Sequence, residues 1–196
     1  MARRRIKRKG DSLLRDGLIL LAVAVVFVLL LAGVVSKTKK PIDDASKAAK
    51  LTGYQNVFKD YGEITIKEPE GFEPVVYEDR TMINDMAEVY LASGEQVGYA
   101  FISKAQGYST DTDITLSVGL DMDGVITGVD VVSMNETSGI GSHCTDEEFK
   151  EQFKGHSGSI SLSDEGIDAI SNATFTSEGV VNAINICLDY YNEHLK

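Results

Sequence analysis

The sequence predicts a single N-terminal transmembrane helix followed by an extracytoplasmic α+β domain, in which an antiparallel sheet is flanked by helices. Three observations carry this. Leu18–Val35 reads LILLAVAVVFVLLLAGVV, eighteen positions without a charge. From Ile64 to Met134, short β-like runs alternate with turn residues. From Ser177 onward, Val180, Ala183, Ile184, Cys187, Leu188, Tyr191 and Leu195 recur at three- and four-residue steps, which is one face of an α-helix.

The apolar segment lengthens to twenty positions with Gly17 and Ser36, and about 20 residues cross the hydrocarbon layer as a helix. A soluble core helix would carry polar positions on one side, and this segment carries none. A cleaved signal peptide has a shorter apolar core, about 7–15 residues, and an A-x-A-like site. Here Val34-Val35-Ser36-Lys37 follows instead, which favours an uncleaved anchor. Arg3, Arg4, Arg5, Lys7, Arg8, Lys9 and Arg15 precede the segment, whereas Lys37, Lys39 and Lys40 follow it. Positive charge stays inside, so the N-terminus is expected in the cytoplasm and the bulk of the chain outside. The expected divisions are a basic terminus over 1–17, the transmembrane helix over 18–36, a juxtamembrane helix or linker over 37–62 and the outer domain over 63–196.

Within the outer part, Pro41 suits the first turn of a helix running to about Tyr61, with Asp43 and Asp44 near its positive end. Strands are expected at Ile64–Ile66, Val75–Tyr77, Ala87–Ala92, Val97–Ala105, Asp113–Leu120 and Val125–Met134. Ser93-Gly94 and Asp123-Gly124 are hairpin turns, the second a strong signal between alternating runs. A short helix follows over Thr145–Phe153, with Thr145 and Glu148 as a capping box. The final helix has Thr176 or Ser177 as its N-cap and Glu178 in its first turn.

Charge is unevenly placed. The segment ahead of the apolar run carries +5, and the remainder carries −16. So acidic a domain will not bind nucleic acid or anionic lipid through its general field. Cys144 and Cys187 are the two cysteines. Cys187 falls on the apolar helix face, Cys144 in a Gly/Ser/His loop, and two residues alone do not establish a disulfide. The absence of a C-x-x-C pair argues against an iron–sulfur or zinc centre, and His143 and His156, in Gly/Ser surroundings, read as exposed rather than as metal ligands.

Two segments carry chemistry. Asp168-Ala-Ile-Ser171-Asn-Ala173-Thr174-Phe-Thr176-Ser177 is small and polar and leads into the last helix. A helix start presents unpaired N–H groups and partial positive charge, an anion site just behind Thr174. The same residues also read as caps and turns. The second segment is Glu136-Thr137-Ser-Gly139-Ile140-Gly141, which follows the Asp-Gly hairpin. Its two glycines bring backbone close to something or turn it sharply, or they merely connect strand to helix. It lacks the third glycine of a dinucleotide loop.

Taken in order, the anchor, Gly107-Tyr108, the Asp-Gly turn, Glu136-Thr137-x-Gly139-x-Gly141, Phe149–Gly155 (FKEQFKG) and Asp168-x-x-Ser171-x-Ala173-Thr174 resemble the FMN-binding-domain family. Within it the chain is most similar to the G subunits of Rnf electron transport complexes, relatives of the C subunits of sodium-translocating NADH:quinone reductases. Asn172 stands where the family usually has Gly or Ser, and Ser138 where it usually has Pro.

The resemblance implies that 63–196 is an FMN-binding domain with FMN joined through its phosphate to Thr174. It implies that Glu136, Thr137, Gly139, Ile140 and Gly141 lie against the flavin, with Ser171, Ala173, Thr176 and Ser177 around the attachment. Asp168 and Ser171 would be read by a magnesium-dependent FMN transferase that uses FAD as donor. The implied role is electron relay, without acid or base residues of its own, among other membrane subunits of an Rnf-type ferredoxin:NAD oxidoreductase that moves ions. The alternatives are a quinone-reductase C subunit, a stand-alone extracellular flavoprotein carrier, and a membrane-tethered binding domain without cofactor.

Overall fold

The computed structural model describes residues 9–69, 71–77, 80–163 and 166–196. The basic residues Arg3, Arg4, Arg5, Lys7 and Arg8 lie outside them. The chain divides into two compact units, Met1–Lys47 and Ala48–Lys196.

Helix α1 is Lys9–Asn56. Every large apolar side chain from Leu18 to Val35 is exposed, as a segment without a polar stripe requires when its solvent is lipid. The run from Leu14 is long and apolar enough to cross a membrane. Pro41 was expected to open a second helix, but it lies inside α1. Its missing N–H removes one ladder bond.

In the second unit, six strands form an antiparallel sheet. They are β1 (Ile64–Lys67), β2 (Val75–Val76), β3 (Met82–Leu91), β4 (Gln96–Gln106), β5 (Asp113–Asp121) and β6 (Ile126–Ser133), in the order β1-β3-β4-β5-β6 with β2 also on β3. β3 starts five residues before the expected strand. Its first half carries Asn84 and Asp85 beside a register shift between Ile83 and Asp85, so the period-two signal is broken there. The Asp-Gly hairpin forms as expected: Asp121 Oδ1 accepts the Asp123 and Val125 N–H groups at 2.9 Å each, and Gly124 takes φ 78°.

Alternation sends side chains to two cores. On one face Ala87, Val89, Ala100 and Ile102 pack against Tyr54, Val57 and Phe58 at the end of α1. Burying a large apolar side chain such as Phe58 contributes about 1.5–3 kcal/mol. On the other face Phe101, Ile114, Leu116, Val118 and Leu120 meet α3 (Thr174–His194) through Val180, Ile184, Cys187 and Leu188, as its spacing predicts. Phe149 of α2 (Glu147–Glu151) and Phe153 close that core.

Beside α2 lies a charged cleft in which every lysine is paired. Lys59 bridges Glu147 and Glu151, Lys150 bridges Asp130 and Glu147, and Lys154 meets Asp60.

Candidate functional site

Sheet register brings three connections to one end of the molecule. Gln106 pairs with Asp113 and Thr115 with Ser133. The end of β4, the start of β5 and the end of β6 are therefore neighbours. Loop 107–112 and the segment after Ser133 both leave from there. Helix α3 reaches the same end because Gly179 has no side chain: a Cβ there would stand 2.6 Å from the Gln106 carbonyl oxygen.

Glu136 ties the three pieces together. Its Oε2 accepts the Thr176 hydroxyl at 2.6 Å and the Tyr108 N–H at 3.2 Å, and its Oε1 accepts the Ser109 N–H at 3.2 Å. Gly141 passes so close that a Cβ would meet Thr176 Oγ1 at 2.8 Å and Glu136 Oε2 at 2.9 Å. Between Glu136 and Gly141 the loop closes on itself: Thr137 O accepts from Ile140 and Ser142, and the Gly139 N–H donates to Ser142 Oγ. Gly139 itself is exposed at φ 75°.

The polar turn ahead of α3 is equally specified. Gln152 clasps the Asp168 backbone at both N–H (2.9 Å) and carbonyl (3.1 Å). Ser177 Oγ accepts the Ile170 N–H at 2.9 Å and donates to the Ala173 carbonyl at 3.1 Å. Asn172 sits at φ 62°, a left-handed conformation that Asn tolerates better than most residues. It thus occupies that conformation at a position where the resembled family usually has Gly or Ser.

Two cap expectations are corrected here. Helix α3 begins at Thr174 with Ala173 in the cap position, so Thr176 and Ser177 are not caps and Glu178 lies beyond the first turn. The turn at Asn172 starts the helix early, and both hydroxyls are spent on other partners. Likewise Thr145 ends a 3-10 segment, Gly141–Thr145, and donates to the Ser142 carbonyl at 2.9 Å. The capping box does not form, and α2 starts at Glu147 with Asp146 before it.

The three pieces enclose a cleft of about 270 Å³ lined by Tyr108, Glu136, Thr137, Ile140, Gly141, Asn172, Ala173, Phe175 and Thr176. Tyr108 (66 % exposed), Phe175 (66 %) and Ile140 (42 %) give it an apolar rim, while Thr176 is fully buried. Of the expected residues, Glu136, Thr137, Ile140, Gly141, Ala173 and Thr176 line the cleft. Thr174 is exposed between two lining residues at the first position of α3. Ser177 is buried behind the cleft, and Asp168, Ser171 and Gly139 are exposed but do not line it. Tyr108, Asn172 and Phe175 are lining residues that sequence reasoning did not assign. Phe175 had a signal: it is an aromatic residue off the apolar stripe of its helix.

The size and lining suit a flat ring system rather than a whole nucleotide, since pockets that enclose drug-sized ligands run from about 300 Å³ upward. The first-turn N–H groups of Thr174, Phe175 and Thr176 have no acceptor within the helix and carry its positive end. Thr174 thus lies exposed at an anion-favouring helix start, flanked by residues of an apolar-rimmed cleft. Residues 107–189 match the FMN-binding domain. The match supports FMN as the cofactor and bears out the family resemblance read from the motifs.

Over 119 residues the chain is 32% identical to the G subunit of the Na(+)-translocating ferredoxin:NAD(+) oxidoreductase complex of Acetobacterium woodii, covering 55% of this chain and 56% of that one. Over 102 residues it is 34% identical to the G subunit of the ion-translocating oxidoreductase complex of Methanosarcina acetivorans, covering 50% and 54%. The chain thus spans about half the length of the curated relatives it matches. Among solved structures it is similar to NqrC of Shewanella oneidensis (TM-score 0.47, 19% identity, 67% of this chain and 80% of that one). It is also similar to the C subunit of the Na(+)-translocating NADH-quinone reductase of Parabacteroides distasonis (TM-score 0.48, 19%, 80% and 94%).

Neither cysteine is bridged. Cys144 and Cys187 are both fully buried. Burial pushes the Cys144 thiol up to about 11, with Glu136 adding to it, and the Cys187 thiol up to about 12. His143 Nδ1 lies 2.7 Å from Asp146 Oδ2.

Proposed function

We propose that this chain is a membrane-anchored electron carrier whose FMN is esterified to Thr174 and which relays electrons within an Rnf-type, ion-translocating complex. One observation supports this above the others: Thr174 is exposed at the start of α3, between Ala173 and Phe175, which line the cleft, although Thr174 does not itself line it. The names of the two curated relatives support the complex.

In this reading residues 18–36 cross the membrane and the basic N-terminus stays in the cytoplasm, so the domain over 63–196 faces outward. Attachment is the work of a separate transferase with magnesium and FAD. Thr174 Oγ forms the new P–O bond, the pyrophosphate bond of FAD breaks, and AMP leaves while the hydroxyl proton passes to AMP or solvent. Asp168 and Ser171, exposed on the preceding turn, are presented to that enzyme.

When bound, FMN supplies the redox chemistry. The protein's own part is positional. The first-turn N–H groups of α3 hold the phosphodiester. Tyr108, Ile140 and Phe175 would cover the ring, and Glu136, Thr137 and Gly141 would form the polar floor. The Glu136 carboxylate adds negative charge there, which opposes placing further electrons nearby, while the helix start favours them. No residue need move a proton. Neighbouring membrane subunits donate and accept the electrons.

Peptide mapping of full-length protein matured in cells that contain the transferase tests the proposal. The expected result is an FMN adduct on Thr174 that is lost in Thr174→Val. An unmodified Thr174 with no adduct elsewhere in the chain overturns it.

A further inference from the structure

Loop 107–112 contributes Tyr108 to one side of the cleft, and it has no strand or helix of its own. Glu136 holds its near end through Tyr108 and Ser109. Its far end is held from elsewhere. Arg80, just before β3, donates from Nη1 to the Thr110 carbonyl at 2.8 Å, and its Nη2 stands 3.0 Å from Asp113 Oδ1. The guanidinium thus donates one hydrogen bond, to the Thr110 carbonyl, and stands in charge contact with Asp113, whose Oδ1 accepts no hydrogen bond. Inside the loop, Ser109 Oγ and Thr112 Oγ1 are 3.3 Å apart.

Arg80 is also in an unfavourable backbone conformation. Its φ is 63°, one of two non-glycine residues in the left-handed region among the described residues. Such a conformation persists in a side-chain-bearing residue only where the surroundings over-determine it. Glycine or asparagine would sit there more easily, but neither would supply the guanidinium. Arg80 further lines a second cleft of about 510 Å³ that shares Phe175 with the first.

We infer that Arg80 is a positioning residue for the flavin site: by pinning Thr110 and Asp113 it sets loop 107–112 so that the Tyr108 ring stands at the cleft mouth, over the bound ring. This rests on the flavin reading above. Its chemical consequence is specific. An electron-rich phenol in contact with a flavin quenches its fluorescence, so the lifetime reports where Tyr108 stands.

Two measurements on the full chain test this, each with Arg80→Gln and Arg80→Asn. The second variant suits the left-handed backbone but lacks the guanidinium. In protein made without the transferase, both variants speed amide exchange of Tyr108 and Ser109, whose N–H groups donate to Glu136, about tenfold, the loss of one charge-assisted hydrogen bond. Exchange in the second half of α3 is unchanged. In protein matured with the transferase, both lengthen the flavin lifetime toward that of Tyr108→Leu.

Wild-type exchange rates in either variant overturn the inference, and Arg80→Asn alone at the wild-type rate would mean that backbone strain, not the guanidinium, matters. Unchanged lifetimes in the Arg80 variants, while Tyr108→Leu lengthens its own, overturn it and leave the flavin reading standing. A wild-type chain with Thr174 bare overturns the flavin reading, and the exchange rates still judge Arg80's hold on the loop.

Discussion

Glu136 and Thr176 should be energetically coupled, and the structure sets the size of the effect. The carboxylate accepts three hydrogen bonds from two separate segments, and the shortest, 2.6 Å, comes from a hydroxyl that is fully buried. Hydrogen bonds to charged groups contribute about 1.5–3 kcal/mol, and neutral ones about 0.5–1.5. Glu136→Gln keeps the shape but has one oxygen and one NH₂. Whichever way it faces, its NH₂ is set against a backbone N–H, that of Ser109 or that of Tyr108, while the Thr176 hydroxyl can rotate to accept from it. The expected loss is about 1–2 kcal/mol. Thr176→Val keeps the volume and removes the hydroxyl, at about 1–1.5 kcal/mol. The double variant should lose about 1 kcal/mol less than the two singles together, because the shared bond can be removed only once.

Denaturant unfolding of the purified full chain in detergent, followed by circular dichroism with an unchanged m-value, measures all four proteins. Each kcal/mol corresponds to about 2–4 °C in a domain of this size. A coupling within about 0.3 kcal/mol of zero would refute the claim that this bond joins the loop after β6 to the start of α3.

Three further outcomes follow from the same geometry. Asn172→Ala should destabilise by about 1 kcal/mol, because φ 62° is unfavourable for alanine, whereas Asn172→Gly should not; thermal melts of the pair check this. Cys144 and Cys187, buried with thiols pushed up to about 11 and about 12, should resist alkylation at neutral pH until the chain is unfolded, and mass spectrometry of labelled protein counts them. Lys59 and Lys150 hold the Glu147 carboxyl down from 4.5 to about 2. A depressed carboxylate stabilises the fold above its unfolded value, so melting temperature should fall as pH drops from 4.5 toward about 2, with a shallower fall in Lys59→Met. Because Glu147 is exposed, the effect should be small and weaken further with salt.

The features legible in the primary chain are those that repeat along it. An uncharged run from Leu18 to Val35 is legible as a helix long and apolar enough to cross a membrane, because lipid demands apolar side chains all round. The strands β4, β5 and β6 followed from β-like runs between turn residues, and the buried face of α3 from its period of 3.6; β5, covered on both faces, is buried at every position from Ile114 to Leu120. Asp-Gly marked its turn because Gly124 has to adopt a positive φ. Asn84 and Asp85 hid the first half of β3 for the complementary reason: a register shift breaks the period. The Thr145 capping box and the Thr176 and Ser177 caps were misread because hydroxyls accept or donate wherever a partner arrives, and their partners here (Glu136, Ile170, Ala173 and Ser142) were chosen by folding.

The cleft itself belongs to the tertiary level. Gly107–Thr112, Glu136–Gly141 and Asn172–Thr176 are separated by tens of residues, and none has a periodic signal. Their meeting depends on the Gln106–Asp113 and Thr115–Ser133 pairings and on Gly179 letting α3 approach β4. Sequence motifs could nominate Thr174 and Glu136. That Tyr108 and Phe175 would stand beside them, and that Arg80 would hold the loop, follows from distances between segments, which no local pattern encodes.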